Sequence, residues 1–297
     1  MPGFFRNFVR RGIFTQSNII NIFRQIAVIA VMGAGMTYAI IGGNFDLSVG
    51  SLLSLCGSVV IMTTNKMGPV AAIVVTLLVG CVSGIVTGYI CGYLHLNSMV
   101  ATLGMMNVLQ ALTLLYSGGN FVSLDNPDVW LVNAGQGNIG IIPISVVIMI
   151  IFCVIYGIVL TRTVYGHNVK AVGTNPMTCK YSGINDNWVV MTTFIMSGLA
   201  TGVAAILLAT RGGGAQPTMG LGYEFDVITA VILGGADLAG GEGSIYRTFV
   251  GALVIGIMKT GFVILGMSVY YQYIAECIII LIAVFLDLRA KGTVRKS

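Results

Sequence analysis

The chain has 297 residues, of which 56% are hydrophobic, only 8% are charged and 40 are glycine, with a formal net charge of +5. A soluble domain carries about 25% charged residues, so this composition excludes a soluble globular enzyme. The modest positive charge gives no reason to expect a nucleic-acid partner, because in a membrane protein it reports topology.

Long apolar runs dominate the chain. A membrane helix requires about 20 such residues, and runs of this kind cover residues 18–42, 70–94, 97–116, 141–161, 188–209, 248–266 and 271–288. Two shorter apolar stretches, 47–64 and 225–236, each begin at an acidic residue, and the second is short or broken. We therefore predict an all-α polytopic membrane protein with about nine transmembrane helices in a single domain, 1–297.

Charged loops orient these helices, because Lys and Arg concentrate in cytoplasmic loops. The basic tail 289–297 and the basic loop 162–187 are predicted to be cytoplasmic, and four spans lie between them, as this requires. The acidic loop 117–140 then falls on the outer side. The N-terminal segment 1–17 also falls outside, although its arginines favour the inside.

The segment 42–51 (GGNFDLSVGS) interrupts the helical pattern. Asp46 and Ser48 can cap the helix that follows, and capping alone explains both residues, although a broken helix in a bilayer can also form a substrate or gating site. FDLSVGSLL at 45–53 is similar to FDVITAVIL at 225–233, and the predicted topology runs these two helices in opposite directions. This arrangement suggests an inverted repeat, as in many transporters.

Two loop segments carry further motifs. In the basic loop, a short helix closed by Gly183, with Gly173 and Asn175 forming the turn before it, could receive a partner or could be an ordinary solvated loop. The glycine-rich segment 212–244 lacks the G-x-x-x-x-G-K-[ST] phosphate loop, as does the rest of the chain, so we expect no ATP site. Its first part, 212–226, is a candidate outer vestibule or a simple turn.

Regularly spaced glycines and two intramembrane charges are the other notable features of the sequence. Gly80, Gly84, Gly88 and Gly92 recur every fourth residue and predict a groove for close helix packing. Lys259 and Glu276 lie inside apolar runs of adjacent helices, which favours a structural ion pair over a proton relay. With no Cys-x-x-Cys and two histidines, the chain is not expected to bind a metal.

Four stretches resemble one transporter family: GMTYAIIGGNFDLSVGSLLSL (35–55), AVGTNPMTCKYSGIN (171–185), AQPTMGLGYEFDVITAVILGGADLAGGEGS (215–244) and SVYYQYIAECIIILIAVFLD (268–287). Together they are similar to the membrane permeases of ribose-type bacterial ABC importers, which also serve related sugars and the autoinducer-2 signal. The resemblance implies a ten-helix fold that here lacks the first helix, in the bacterial cytoplasmic membrane.

The resemblance also implies partners. Two permease subunits, identical or related, would form the pore, and a soluble sugar-binding protein would deliver substrate from outside. A separate ATPase would bind ATP and Mg, so no cofactor is expected in this chain. The ATPase would dock on a cytoplasmic coupling helix at Gly173, Asn175, Ser182, Gly183 and Ile184.

We therefore predict a permease subunit that, surrounded by lipid, translocates a monosaccharide and has no catalytic residues. The candidate pathway residues are Asp46, Ser48, Asn107, Gln110, Glu224 and Asp226. The alternatives are an ABC permease for a nucleoside or branched-chain amino acid, an ion-coupled transporter that uses Lys259 and Glu276, and a membrane scaffold.

Overall fold

The structure is a computed structural model that describes residues 16–268 and part of the segment 270–289. The predictions for the N-terminal segment before residue 16 and for the basic tail after residue 289 lie outside the described residues. So does much of the predicted helix 271–288, including Glu276.

Helices account for most of the described chain, which confirms the predicted all-α membrane fold. In chain order they are α1 (Gln16–Ile41), α2 (Val49–Met67), α3 (Pro69–Gly92), α4 (Ser98–Ser117), α5 (Asn133–Gln136), α6 (Ile144–Arg162), α7 (Val164–Thr174), α8 (Pro176–Tyr181), α9 (Asp186–Gly212), α10 (Tyr223–Leu233) and α11 (Ile245–Ile264). Within the described residues, α1, α3, α4, α6, α9 and α11 are long and apolar enough to cross a membrane. The two shorter predicted stretches form α2 and α10.

Short strands and one 3₁₀ turn, Trp130–Val132, complete the connections. β1 (Val122–Ser123) pairs antiparallel with β4 (Gly214–Ala215), so that Val122 faces Ala215. β2 (Asn138–Ile139) and β3 (Ile142–Pro143) form a small hairpin. The β1–β4 pair ties the loop after α4 to the loop after α9.

The centre of the molecule is built by α1 and α9, whose apolar residues are mostly buried. In contrast, α4, α6 and α11 expose large apolar side chains such as Leu115, Ile151 and Val254. In water such a surface would drive aggregation, whereas a bilayer solvates it. The chain is therefore a multi-pass membrane protein with its tightest packing at the centre.

The glycine groove of α3 lies against α9. A Cβ atom added at Gly84 would lie 2.5 Å from the Phe194 carbonyl oxygen and 2.7 Å from the Ile195 Cα. Gly80 meets Gly198, Gly88 meets Met191, and Gly92 meets Asn187, each through the α9 backbone. Because each of these glycines lacks a side chain, the two helices can pack backbone to backbone.

The loops gather at two ends of the bundle. One end, called here the coupling end, combines the loops around 42–45, 93–97, 163–185 and 234–244. The opposite end, called here the loop end, combines 118–143 with the segment after α9 through the β1–β4 pair. Gln136 Nε2 also donates to the Thr210 carbonyl in the last turn of α9. This division fits the predicted topology, in which the coupling end is cytoplasmic.

Candidate translocation and docking sites

The break between α1 and α2 is closed by Asp46. Its Oδ1 accepts hydrogen bonds from the Ser48 backbone N–H (3.1 Å) and hydroxyl (2.6 Å), and its Oδ2 accepts one from the Ser197 hydroxyl (2.8 Å). Ser48, not Asp46, immediately precedes the first helical residue. Asp46 and Ser48 are both buried. The carboxylate thus fixes the start of α2 and joins it to α9.

The matching FD motif in α10 is fixed by an ion pair. Lys259 Nζ of α11 lies 2.5 Å from Asp226 Oδ2, and only 2% of the Asp226 side chain is exposed. The Tyr223 ring centroid lies 5.8 Å from the same ammonium group. Sequence reasoning missed this partner of Lys259 because it lies 33 positions away on another helix. Since Glu276 lies outside the described residues, its pairing with Lys259 stays a prediction.

Glu224 belongs to the same turn of α10 and is also buried. Its two carboxylate oxygens accept the Gly222 backbone N–H at 3.2 and 3.1 Å. A side chain at Gly50, in the first turn of α2, would collide with the Glu224 carboxylate. An anion at a helix N-terminus is stabilised by the unpaired N–H groups there. The two helix breaks of the inverted repeat therefore meet where α10 reaches the start of α2.

The polar residues of α4 differ from these three acids. Asn107 is exposed, and its Nδ2 donates to the Leu103 carbonyl of its own helix. Gln110 is half-buried, with Nε2 donating to the Pro217 carbonyl at 3.0 Å. Its buried Oε1 has no hydrogen-bond partner among the described residues. Of the six candidate pathway residues, these two are the most accessible in this chain.

At the coupling end, α7 is anchored to the core. Val169 and Val172 are buried in a cluster with Tyr38, Tyr156 and Leu160 from α1 and α6. Thr163 caps α7 by accepting the Gly166 N–H. The sequence predicted that Gly173 lies in a turn before the short helix. This prediction was wrong, because Gly173 lies inside the last turn of α7.

The short helix α8 is the exposed part of this segment. Asn175 caps it by accepting the Thr178 N–H at 3.1 Å, and Gly183 follows it with a φ of +79°. Met177 and Tyr181 of α8 are 64% and 86% exposed. Sequence reasoning missed these two side chains, because periodicity on a six-residue helix does not show which face stays uncovered. Ser182 is exposed beside them, whereas Ile184 is half-buried and packs against the cluster that holds α7. We call the exposed residues Met177, Tyr181 and Ser182 the α8 surface.

Comparisons with known proteins agree with this architecture. The family described as the branched-chain amino acid transport system / permease component matches residues 18–284. The ribose import permease protein of Escherichia coli strain K12 is 38% identical over 280 residues, which cover 92% of this chain and 86% of that protein. The D-allose transport system permease protein of the same strain is 34% identical over 275 residues, 92% of this chain and 84% of that protein.

A relative from a different bacterium shows similar coverage. The ribose import permease protein of Bacillus subtilis strain 168 is 36% identical over 271 residues, 91% of this chain and 84% of that protein. No solved structure matches the chain.

Proposed function

The chain belongs to the family of branched-chain amino acid transport system permease components, and on this premise we propose that it is the permease subunit of an ATP-driven monosaccharide importer. The observation that carries the proposal is similarity over nearly the whole chain to relatives named as ribose and D-allose permeases. A relative named as a fructose import permease, from Rhizobium meliloti, supports the same substrate class. The location proposed is the bacterial cytoplasmic membrane.

The proposal divides the work between this chain and separate partners. We expect no ATP site in this chain, because its sequence lacks a phosphate-loop motif. In the proposal, ATP and Mg therefore bind to a separate ATPase subunit. A second permease subunit completes the pore, and a soluble binding protein delivers the sugar. The sugar passes along the accessible polar positions of α4, Asn107 and Gln110.

The α8 surface is the proposed ATPase docking site. Exposed Met177 and Tyr181 offer an aromatic and a flexible apolar contact on a small helix beside the rigidly anchored α7. Tyr and Met are enriched in protein–protein interfaces, and Tyr is also enriched among the residues whose truncation costs the most binding energy. The prediction made for Gly173, Asn175, Ser182, Gly183 and Ile184 therefore gains two neighbouring contact residues.

The transport proposal is tested in proteoliposomes that contain the chain with its co-purified ATPase and binding protein. Labelled ribose, allose, leucine and adenosine are offered with ATP supplied to the ATPase side. We expect monosaccharide uptake that follows ATP and survives an uncoupler. Uptake of leucine or adenosine alone would favour the other ABC substrates, and collapse with the uncoupler would favour ion coupling. No uptake of any solute would favour a scaffold.

The docking proposal predicts that the variant Met177→Ala/Tyr181→Ala loses its ATPase. Truncating central interface side chains commonly costs about 2 kcal/mol or more, so the co-purified ATPase should fall at least about tenfold. The measurement is the ATPase-to-permease ratio after gentle detergent extraction.

The matched control for docking is Tyr246→Ala. This tyrosine is 75% exposed in the first turn of α11 and is not part of the α8 surface. It should keep the wild-type ratio. An unchanged ratio in the α8 variant, or an equal loss in both, would contradict docking at the α8 surface.

A further inference from the structure

Three chain segments meet at the coupling end without an intervening side chain. The Gly241 N–H donates to the Ile41 carbonyl, the last of α1, at 2.7 Å. A Cβ atom at Gly173 would overlap that same carbonyl and would lie 2.7 Å from the Gly241 nitrogen. The end of α1, the end of α7 and the 234–244 loop therefore touch backbone to backbone at this point, beside the apolar cluster that contains Ile41 and Val172.

Backbone conformation and space both require glycine at this contact. Gly43, Gly240 and Gly241 have φ values of +77°, +89° and +87°, a region that other residues rarely adopt. A Cβ at Gly240 would lie 2.8 Å from the Gly173 carbonyl oxygen and 3.0 Å from the Gly43 Cα. We call the contact formed by Ile41, Gly43, Gly173, Gly240 and Gly241 the glycine junction.

The rest of the α7–α8 segment is packed against its neighbours, with a polar cavity beside the junction. Val169 and Val172 lie in an apolar cluster with residues of α1, α6 and α9. The cavity has a volume of about 450 Å³ and is lined by Thr174, by His95 in the loop after α3 and by Asp186 at the start of α9. A displacement of the segment therefore meets close contact at the junction and free volume at this cavity.

The junction also connects the two halves of the inverted repeat. Gly43 lies three residues before Asp46, which fixes the start of α2, and Gly240 and Gly241 lie in the loop that joins α10 to α11. Side chains can absorb small displacements by changing rotamer, whereas contacting backbones have no rotamers to change. Movement at Gly173 must therefore shift both loops or separate the contact.

We infer that the glycine junction transmits movement of the docked ATPase at once to the α1–α2 break and to the loop that joins α10 to α11. Gly173 and Gly241 are positioning residues in this role, because they act through the backbone contact and not by binding sugar or ATP. The inference rests on the proposed function, since it requires an ATPase that docks on α8. It goes further by naming the contact through which docking reaches α1–α2 and α10–α11.

The test uses Gly241→Ala in the full complex with its ATPase and binding protein, because Gly241 lies in the 234–244 loop, outside the proposed docking segment. We expect the complex to assemble and to hydrolyse ATP, while sugar uptake per ATP falls about tenfold. Gly157→Ala is the matched control, because a Cβ there meets nothing within 4 Å, and it should transport normally. A wild-type complex that takes up no sugar would count against the proposed function rather than against the junction.

Gly240→Ala disturbs the same contact at a neighbouring position of that loop, because its Cβ would lie 2.8 Å from the Gly173 carbonyl oxygen. It should reproduce the loss of uptake per ATP. If either variant assembles and keeps the wild-type uptake per ATP, the inference is wrong.

If neither variant assembles, hydrogen exchange of the wild-type complex tests the inference instead. Addition of a non-hydrolysable ATP analogue should change exchange together in peptides covering 38–48, 164–181 and 234–244. A change confined to 164–181 would overturn the inference.

Discussion

At the scale of single residues, buried acids organise the two helix breaks. Asp46, Glu224 and Asp226 are each 5% exposed or less, and each has donors: two serines, a backbone N–H and a lysine, respectively. A lone charge inside a membrane protein is costly, so such groups are retained with partners or for function. Here the donors account for all three carboxylates, and each fastens one segment to another.

The Asp226–Lys259 pair gives the first residue-scale prediction. Lys259→Met should destabilise the protein by about 3–5 kcal/mol, because the buried Asp226 carboxylate loses its countercharge. The double variant Asp226→Leu/Lys259→Met should recover most of that loss, since an apolar pair of similar volume is tolerated. The measurement is thermal unfolding of the purified protein in detergent.

Uptake assays of the same variants separate the structural role from ion coupling. A structural pair predicts that the double variant transports with ATP, whereas a proton relay through Lys259 predicts that it does not. A double variant as unstable as the single variant would show that the pair is not the main partner of either group.

At the scale of helices, glycine decides how closely α3 and α9 pack. Without a hydrophobic driving force between helices in lipid, association depends on close van der Waals contact and hydrogen bonds. Gly80 and Gly198 face each other, so both helices lack a side chain at the same point. The crossing brings Ser197 of α9 within reach of Asp46, so packing and the helix break support each other.

This packing predicts opposite effects for two Gly→Ala changes. Gly84→Ala should lower stability by about 1–3 kcal/mol, because its methyl group would press on the Phe194 carbonyl and cannot be relieved by a rotamer change. Gly104→Ala, in α4, meets nothing within 4 Å and should be neutral or stabilising by up to about 1 kcal/mol. Thermal unfolding in detergent measures both, and equal melting temperatures would contradict the packing argument.

At the scale of the whole molecule, the exposed face of α4 is chemically mixed. Val100, Val108 and Leu115 are apolar and exposed, but Asn107 and the half-buried Gln110 interrupt them. An amide that faces lipid is costly, whereas one that faces a water-filled path between two permease subunits can bind sugar hydroxyls. The proposed transport function requires the second arrangement.

We therefore predict that Asn107→Leu lowers sugar uptake while leaving assembly with the ATPase intact. Loss of a hydrogen bond of about 1–1.5 kcal/mol should reduce the apparent affinity or rate by roughly tenfold. Val108→Leu, exposed on the same helix, is the control and should transport normally. Unchanged uptake combined with higher stability of Asn107→Leu would mean that Asn107 faces lipid.

Hydropathy alone was enough to locate most helices, because twenty apolar residues in a row have few alternatives to spanning a bilayer. The interruption at Gly42 and Gly43, the short helix after Asn175 and the glycine spacing of α3 are equally local signals. Each of these features depends on residues that are close in sequence, so the sequence pattern was enough to predict it.

Only the tertiary structure decided which distant residues meet. It pairs Lys259 with Asp226, sets the Glu224 carboxylate against α2, and brings Gly173 onto the Ile41 carbonyl. It also shows that Tyr181 is uncovered while Val172 is buried. Each outcome depends on how helices far apart in the chain cross, and one sequence does not encode those distances as a local pattern.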